Sequence, residues 1–258
     1  MIGVFDSGIG GLTVVKELSK KLPKYQVIYF GDTAHLPYGT KSKKAVREFS
    51  DQAVNFLIKR GAKIILIACN TASSQAADYL RKKYPGTPII DVINPTLDKI
   101  KKMDLKRIGV IATPGTIKSG SYQKKLRKMH RAVISQAAPL LVPFIEEGIV
   151  RGKILNEILK AYLKPFKKNT DGIILGCTHY PLIEKNVKAS LSKGILMINP
   201  SKIIVEHLDE LLKKNKNLSK KLKREHKYEF FVSDDPYKFE TLSRFALGKK
   251  IKVQIVRL

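Results

Sequence analysis

Three short motifs occur twice in this chain, in the same order, and this internal repeat limits the possible fold more than any other feature. The matching pairs are Ile2-Gly3-Val4 with Ile108-Gly109-Val110, Cys69 with Cys177, and Ile93-Asn94-Pro95 with Ile198-Asn199-Pro200. The spacings are 106, 108 and 105 residues. Such regular spacing predicts two copies of one structural unit. Because the chain contains only these two cysteines, each copy carries one thiol at an equivalent position.

The length and composition fit two lobes that each bury a core. The chain has 258 residues, of which 43% are hydrophobic and 28% are charged. No apolar run approaches the eighteen or so residues that a membrane helix needs. The chain begins directly on the strand-like residues 1–5, without a basic leader. We therefore expect a cytoplasmic protein that does not contact a membrane.

The formal net charge of +27 is high for a chain of this size. One interpretation is a surface that binds nucleic acid. However, the lysine pairs are spread along the chain, and no aromatic residues are interleaved with them. A solvated lysine surface is the preferred interpretation, and we expect no nucleic-acid partner. The positive field would attract a small anionic substrate.

Short β-rich runs alternate with amphipathic stretches, a pattern typical of α/β proteins with mainly parallel sheets. The predicted strands cover residues 2–5, 26–31, 64–68, 88–93, 107–112, 133–137, 171–176, 195–198, 228–232 and 251–256. The predicted helices cover residues 11–21, 42–60, 73–84, 116–129, 147–164, 181–192 and 201–224, and a short helix precedes the last strand.

The two Asn-Pro pairs predict where the chain crosses between lobes, since proline disfavours helix in the preceding residue. The predicted architecture is two pseudo-symmetric α/β lobes. Residues 1–93 form the first lobe, completed by about residues 201–258, and residues 94–200 form the second. No low-complexity linker separates them, so we expect the active site in a cleft between two closely packed lobes.

Each cysteine is followed at once by neutral polar residues, Asn70-Thr71 or Thr178-His179. The carboxyl ends of parallel strands are where α/β folds bind ligands. If the lobes face each other, the two thiols approach one ligand from opposite sides, which suits moving a proton between the two faces of one carbon. A thiol near a helix N-terminus is expected to ionise more readily than a free thiol. The alternative is that both cysteines are small buried core residues.

A glycine-rich turn, Asp6 to Gly11, follows the first predicted strand and precedes a helix. Its free amide groups could hold an anion. It is not a dinucleotide fingerprint, because Thr13 stands where the third glycine would fall, and no phosphate-loop lysine follows. Asp6 either caps the helix or serves as a proton-relay partner beside a thiol.

Three further segments contain candidate site residues. After the second strand, Pro37, Tyr38 and Gly39 would form a stiff edge of a pocket, whereas His35 is expected on the surface. Residues 113–116 occupy the position in the second copy that Asp6-Ser7-Gly8 occupies in the first, and their hydroxyls either contact an anion or cap a helix. Glu146 follows an apolar run, so it is either a surface residue or part of the cleft wall.

Two other thiol functions remain open at this point. A Cys-His hydrolase would use Cys177 as nucleophile beside His179, but it leaves Cys69 without a role. A redox protein would require both thiols to approach disulfide distance.

Together these motifs resemble the cofactor-independent aspartate/glutamate racemase family, and they are of its glutamate type. The motifs that carry the resemblance are Phe5–Gly11, Gly31-Asp32 with Pro37-Tyr38-Gly39, Ala68–Ser73, Val142-Pro143 with Glu146-Glu147-Gly148, and Gly176–Pro181. The paired thiol motifs are the most specific of these. Aspartate racemases share the two-thiol logic and differ in how the distal carboxylate is held, so they remain the nearest alternative.

The resemblance implies interconversion of L- and D-glutamate without cofactor or metal, with Cys69 taking the α-proton from D-glutamate and Cys177 taking it from L-glutamate. The implied substrate-binding residues are Asp6, Ser7, Tyr38, Gly39, Asn70, Thr71, Thr116, Thr178 and His179. The residues implied to assist proton transfer are Asp6, Asp32, Glu146 and His179. D-Glutamate would supply peptidoglycan synthesis and so maintain cell shape, and we expect a homodimer.

Overall fold

Ten strands form two parallel sheets in the computed structural model, which describes residues 1–168 and 170–258. The strands are β1 (Ile2–Asp6), β2 (Val27–Gly31), β3 (Ile64–Ile67), β4 (Ile89–Asp91), β5 (Arg107–Ala112), β6 (Ala132–Ala137), β7 (Gly172–Gly176), β8 (Leu196–Ile198), β9 (Tyr228–Val232) and β10 (Gln254–Ile255). One sheet has the order β10-β9-β2-β1-β3-β4 and the other has the order β6-β5-β7-β8. The predicted α/β class with parallel sheets is confirmed.

Thirteen α-helices connect the strands within the described residues. They are α1 (Leu12–Lys21), α2 (Lys43–Lys59), α3 (Asn70–Gln75), α4 (Ala77–Lys83), α5 (Ile93–Lys101), α6 (Pro114–Ser119), α7 (Ser121–Lys128), α8 (Leu141–Glu146), α9 (Lys153–Leu163), α10 (Glu184–Ser190), α11 (Pro200–Lys214), α12 (Lys216–Lys221) and α13 (Pro236–Leu247). Short 3-10 turns cover Ile9–Gly11, Thr33–His35, Tyr38–Thr40, Lys164–Phe166 and Tyr180–Ile183.

The two sheets repeat one topology. In the first, β1 lies between β2 and β3, and Ile2 pairs with Val27 on one side and with Ile64 on the other. In the second, β5 lies between β6 and β7, and Ile108 stands opposite Val133 and Gly172. The repeated Ile-Gly-Val motif therefore marks the central strand of each copy, as the spacing of the motifs predicts.

The glycine of this motif allows close packing in both copies. A Cβ atom on Gly3 would lie 2.7 Å from Cδ1 of Ile65, and one on Gly109 would lie 2.6 Å from Cδ1 of Phe166. Both distances are too short for carbon atoms, so a larger residue would push the neighbouring side chain away. The motif thus recurs because each central strand must accept a bulky neighbour over the same position.

The C-terminal segment completes the first sheet. Strand β9 pairs with β2, with Tyr228 opposite Val27, while α11 packs against α1 and α5. A single apolar cluster includes Val4 of the first sheet, Val110 of the second and Leu208 of α11. From this topology we propose residues 1–93 and 201–258 as one lobe and residues 94–200 as the other.

The expectation that Asn94 lies outside a helix is wrong. Helix α5 begins at Ile93 and includes both Asn94 and Pro95. Pro95 lies in the first turn, where its missing N–H group would have had no helical partner. The Asp91 carboxylate accepts hydrogen bonds from the N–H groups of Ile93 (2.7 Å) and Asn94 (3.0 Å) and so caps the helix.

Several predicted helices are interrupted by local backbone geometry. The predicted helix 73–84 begins earlier, at Asn70, and breaks at Ala76, and the predicted helix 116–129 breaks at Gly120, where φ is +67°. The basic helix 201–224 breaks at Asn215, whose side chain caps α12. Periodicity predicts the helical stretches but not these single-residue breaks.

The stretch predicted as one helix over 147–164 contains only α9 within it, and α8 precedes it. Gly148 and Gly152, which separate the two helices, both have positive φ values, +74° and +104°. None of the helices described here has the length and apolarity needed to cross a membrane.

Candidate active site

The two thiols line a single cavity between the sheets. Cys69 lies two residues after β3, and Cys177 directly follows β7. The cavity is lined by Ser7, Leu36, Pro37, Tyr38, Gly39, Cys69, Asn70, Thr71, Thr113, Val142, Gly176, Cys177, Thr178 and His179. Its volume is about 20 Å³, enough for one water molecule. The thiols therefore line one cavity at equivalent strand ends, as the repeat predicts.

Cys69 is buried at the N-terminus of α3. The N–H group of Ala72 donates to its sulfur over 3.5 Å, and the thiol lies 3.6 Å from the Ser7 hydroxyl oxygen. Burial raises the pKa of the Cys69 thiol to about 12, and the nearby negative charge of Asp6 adds to this rise. The expectation of an easily ionised thiol is wrong for Cys69, because desolvation and a neighbouring carboxylate outweigh the donors of a short helix.

Cys177 belongs to a chain of three polar groups. Its sulfur lies 3.6 Å from Nδ1 of His179, and Nε2 of the same ring lies 2.5 Å from Oε1 of Glu146. Burial by itself lowers the pKa of His179, but the hydrogen bonds to Cys177 and Glu146 outweigh it and hold the pKa well above its usual value. The raised pKa favours the imidazolium form, and the ring lies directly beside the Cys177 sulfur.

Asp6 lies behind the cavity wall, fully buried. Its carboxylate accepts hydrogen bonds from the N–H group of Gly8 (3.0 Å) and from the Thr178 hydroxyl (3.1 Å). Burial raises the pKa of Asp6 from 3.8 to about 6, although the nearby His179 and these hydrogen bonds act in the opposite direction. Asp6 therefore links the turn after β1 to the turn after β7.

The two turns can meet because Gly10 has no side chain. A Cβ atom at this position would lie 2.5 Å from Nδ1 of His179. Any larger residue would displace the imidazole ring from Cys177. Thr13 adds a second link between the turns, since its hydroxyl donates to the carbonyl oxygen of Thr178 over 3.2 Å.

Neutral polar groups surround the two thiols. The hydroxyl of Tyr122, in the second lobe, donates to Oδ1 of Asn70 over 2.8 Å and fixes the orientation of that amide. The hydroxyl of Thr71 lies 2.9 Å from that of Thr113 and 3.3 Å from that of Thr116. Of the two threonines in the second lobe, only Thr113 lines the cavity. Thr113 also caps α6, so the predicted helix cap is present in this segment.

Tyr38 forms part of the cavity wall and is fully buried, while Asp32 lies behind it. The Tyr38 hydroxyl donates to Oδ2 of Asp32 over 2.5 Å. His35 is partly exposed, as predicted, but its ring lies 2.9 Å from both oxygens of Asp32 and stacks on Phe49 with 3.8 Å between ring centroids. The loop is therefore tied together around a buried carboxylate.

Four of the implied residues do not line the cavity: Asp6, Asp32, Thr116 and Glu146. Conversely, the cavity wall includes Leu36, Val142 and Gly176, which were not among the candidate residues. All three lie inside or next to motifs that the sequence singled out. Their apolar character gave no separate signal, because apolar residues are far more often part of the core.

A larger cavity of about 350 Å³ adjoins the thiol cavity and shares Leu36, Pro37 and Val142 with it. Lys238 of α13 and Glu147, just after α8, form an ion pair of 2.7 Å across this space. The two cavities therefore share part of one wall. Among the described residues, no group of three or more His, Cys, Asp or Glu side chains could hold a metal ion.

Comparison with known proteins gives a consistent result. A model of the Asp/Glu/hydantoin racemase family matches residues 2–208. The glutamate racemase of Aquifex aeolicus is 38% identical, over 98% of this chain and 96% of its own length. The crystal structure of glutamate racemase from Francisella tularensis in complex with D-glutamate is 39% identical, with a TM-score of 0.90 over 99% of this chain and 96% of that one. Glutamate racemase from Bacillus anthracis has a TM-score of 0.92 at 34% identity, over 100% of this chain and 97% of that one. The chain therefore belongs to the Asp/Glu/hydantoin racemase family and, within it, to the glutamate racemases.

Proposed function

We propose that Cys69 and Cys177 are the two acid-base groups that move the α-proton of glutamate between its two faces. The observation that carries this proposal is that both thiols line one buried cavity and come from equivalent strand ends of opposite lobes. A substrate between them meets one sulfur on each side. Neither thiol is engaged in a disulfide.

The protonation of the site suits L-glutamate as first substrate. Cys69 has a pKa of about 12 and is therefore a protonated thiol. In the forward step a Cys177 thiolate takes the α-proton as the Cα–H bond breaks, and the electron pair of that bond stays on Cα. The S–H bond of Cys69 then breaks, and its proton joins the opposite face of Cα. The products are D-glutamate, a Cys177 thiol and a Cys69 thiolate, which is the base for the reverse reaction.

Three polar side chains assist the thiols. The cationic His179, held by Glu146, lies 3.6 Å from the Cys177 sulfur and stabilises negative charge there. Asp6 raises the pKa of Cys69 and so favours the return of a proton to that sulfur. We therefore assign Asp6, Glu146 and His179 to proton transfer acting through the cysteines.

Neutral donors hold the substrate carboxylates. Hydroxyl or amide groups line the cavity at Ser7, Asn70, Thr71 and Thr178. One side of the cavity is formed by Tyr38 and Gly39. Neutral donors of this kind stabilise the negative charge that develops on a substrate carboxylate when the α-proton leaves. Thr116 does not line the cavity, but its hydroxyl lies 3.3 Å from that of Thr71 and helps to hold it in place. Asp32 likewise lies behind Tyr38, and we assign it a positioning role.

The lobes must separate to admit substrate, since a cavity of about 20 Å³ is far smaller than a dicarboxylic amino acid. The adjoining cavity leads to solvent, and the exposed ion pair between Lys238 and Glu147 spans it. An exposed ion pair contributes at most about 1 kcal/mol. This contact can therefore break and re-form during each turnover.

We further propose that the enzyme works without cofactor or metal, in the cytoplasm, and supplies D-glutamate for peptidoglycan synthesis and thus for cell shape. Reduced thiols favour a reducing compartment. The family resemblance supports the biosynthetic role. We also propose a homodimer, which light scattering would test.

Circular dichroism of purified protein with either enantiomer tests the proposal. Both L- and D-glutamate should drift to a racemic mixture in buffer free of metal and pyridoxal phosphate, whereas aspartate should not. Either Cys69→Ser or Cys177→Ser should abolish racemisation while the far-ultraviolet spectrum stays unchanged. Activity lost on chelation, or near wild-type turnover in either variant, would contradict the proposal.

A further inference from the structure

Residue Ser233, at the C-terminal end of β9, lies beside the loop that forms one wall of the thiol cavity. Its hydroxyl accepts a hydrogen bond from the N–H group of Ala34 (2.9 Å) and lies 2.8 Å from Oδ1 of Asp32. A hydroxyl has one proton, and since the Ala34 amide occupies an acceptor position, that proton points to Asp32. The direction of the contact is therefore fixed: Ser233 donates to the carboxylate.

The carboxylate of Asp32 is held by three neighbouring side chains. Oδ1 accepts from Ser233, Oδ2 accepts from the Tyr38 hydroxyl over 2.5 Å, and the His35 ring lies 2.9 Å from both oxygens. The side chain is only 4% exposed. A carboxylate held in this way acts as a hub that fixes its neighbours.

A second pair of contacts ties the same two segments together. The Thr33 hydroxyl donates to the carbonyl oxygen of Asp234, and the N–H group of Asp234 lies 2.9 Å from that hydroxyl oxygen. The N–H group of Ser233 also donates to the carbonyl oxygen of Gly31 over 3.2 Å, which continues the pairing of β2 with β9. The loop is thus fastened to a segment about 200 residues away in sequence.

We propose that Ser233 is a positioning residue of the racemase site: through Asp32 it holds Tyr38 against the cavity that contains Cys69. The inference rests on the proposed racemase reaction and deepens it, because it extends the site to a residue outside the recognised motifs. Tyr38 is buried and lines the cavity, so a shift of its ring changes the space beside the α-carbon.

The test compares Ser233→Thr with Ser233→Val, two substitutions of nearly equal shape that differ in the hydroxyl. Ser233→Val should lower kcat/KM for both enantiomers roughly tenfold, the loss typical of one hydrogen bond to a charged group. Ser233→Thr should keep most of the wild-type value. Most of the loss should appear in KM, because both thiols remain in position.

A double substitution with Tyr38→Phe separates positioning from general stability. Since the phenylalanine ring no longer contacts Asp32, Ser233→Val should have less than about a twofold further effect in that background. Ser243→Ala is the matched control. The Ser243 hydroxyl donates to the carbonyl oxygen of Glu240 (2.6 Å) and accepts from the N–H group of Ile251 (3.3 Å), entirely within the C-terminal segment. It should lower the melting temperature and leave kcat/KM unchanged.

Three results would overturn the inference: equal kcat/KM in the Val and Thr variants, an equal loss with and without the Tyr38 hydroxyl, or the same kinetic loss in Ser243→Ala. Wild-type protein is assayed first. Absence of racemisation in the wild type would refute the proposed function itself, whereas an active wild type with an unaffected Ser233→Val variant would refute only the role of Ser233.

Discussion

The buried carboxylate of Asp6 makes the stability of this protein depend on pH in a direction opposite to that of an ordinary surface aspartate. Burial raises the pKa of Asp6 from 3.8 to about 6 in the folded protein. Well below pH 3.8 the group is protonated in both the folded and the unfolded state and contributes nothing. Between these two pKa values the folded state binds more protons, so the free energy of unfolding falls as pH rises.

The substitution Asp6→Asn removes this titration. At 1.36 kcal/mol per pKa unit, the shift of Asp6 corresponds to a penalty of about 3 kcal/mol, which develops up to the folded pKa and is complete about one pH unit above it. The amide also changes the hydrogen bonds to Gly8 and Thr178, but that cost does not vary with pH. Relative to wild type, the variant should therefore gain stability as pH rises from about 4 to about 7, and then keep a constant difference.

Urea unfolding at pH 4.5, 5.5, 6.5 and 7.5 measures this difference. Asp171→Asn provides a control without pH dependence in this range, since hydrogen bonds from the backbone N–H groups of Arg107 and Lys106 lower the pKa of Asp171 below its ordinary value of 3.8. That group is ionised in both the folded and the unfolded state at all four pH values, so the variant should differ from wild type by a constant amount. A difference between Asp6→Asn and wild type that is flat across this range would refute the assignment of Asp6 as a buried carboxylate with a raised pKa.

Two further predictions concern the thiols and their support. Glu146→Gln removes the charge that helps to hold His179 cationic, so the pKa of His179 should fall. The kcat for L-glutamate should then drop roughly tenfold or more. In a pH–rate profile, the loss of activity on the alkaline side should move to lower pH. Residual proton abstraction should be direction-specific: exchange of the α-proton with deuterated solvent, followed by NMR, should slow more for D-glutamate in Cys69→Ser and more for L-glutamate in Cys177→Ser. A pH–rate profile of Glu146→Gln that matches wild type would contradict the role of Glu146. Equal slowing of α-proton exchange for L- and D-glutamate in each cysteine variant would contradict the roles of the thiols.

The repeat made the fold and the thiol cavity predictable from sequence. Two copies of a βα unit with matching Ile-Gly-Val strands require equivalent strand ends, and the cysteines follow those ends. Parallel sheets bring such ends to one edge, so the neighbours of Cys69 and Cys177 could be assigned to the site without knowledge of any distance.

Other parts of the site depend on distances that sequence does not contain. The raised pKa of Cys69 results from burial and from the nearness of Asp6, and neither can be read from the residues that follow a strand. The contact of Ser233 with Asp32 exists because β9 pairs with β2, a long-range pairing between opposite ends of the chain. The helix breaks at Ala76 and Asn215 likewise depend on single backbone angles.

Incorporation of solvent deuterium is the most direct test of two opposed thiols. L-Glutamate is incubated with the protein in deuterated buffer, and the first D-glutamate formed is analysed by mass spectrometry. If one sulfur removes the α-proton and the other returns a proton that has exchanged with solvent, the product should carry deuterium at Cα from its first appearance. Early D-glutamate that retains the original proton would mean that one group works on both faces, and it would contradict the roles assigned to Cys69 and Cys177.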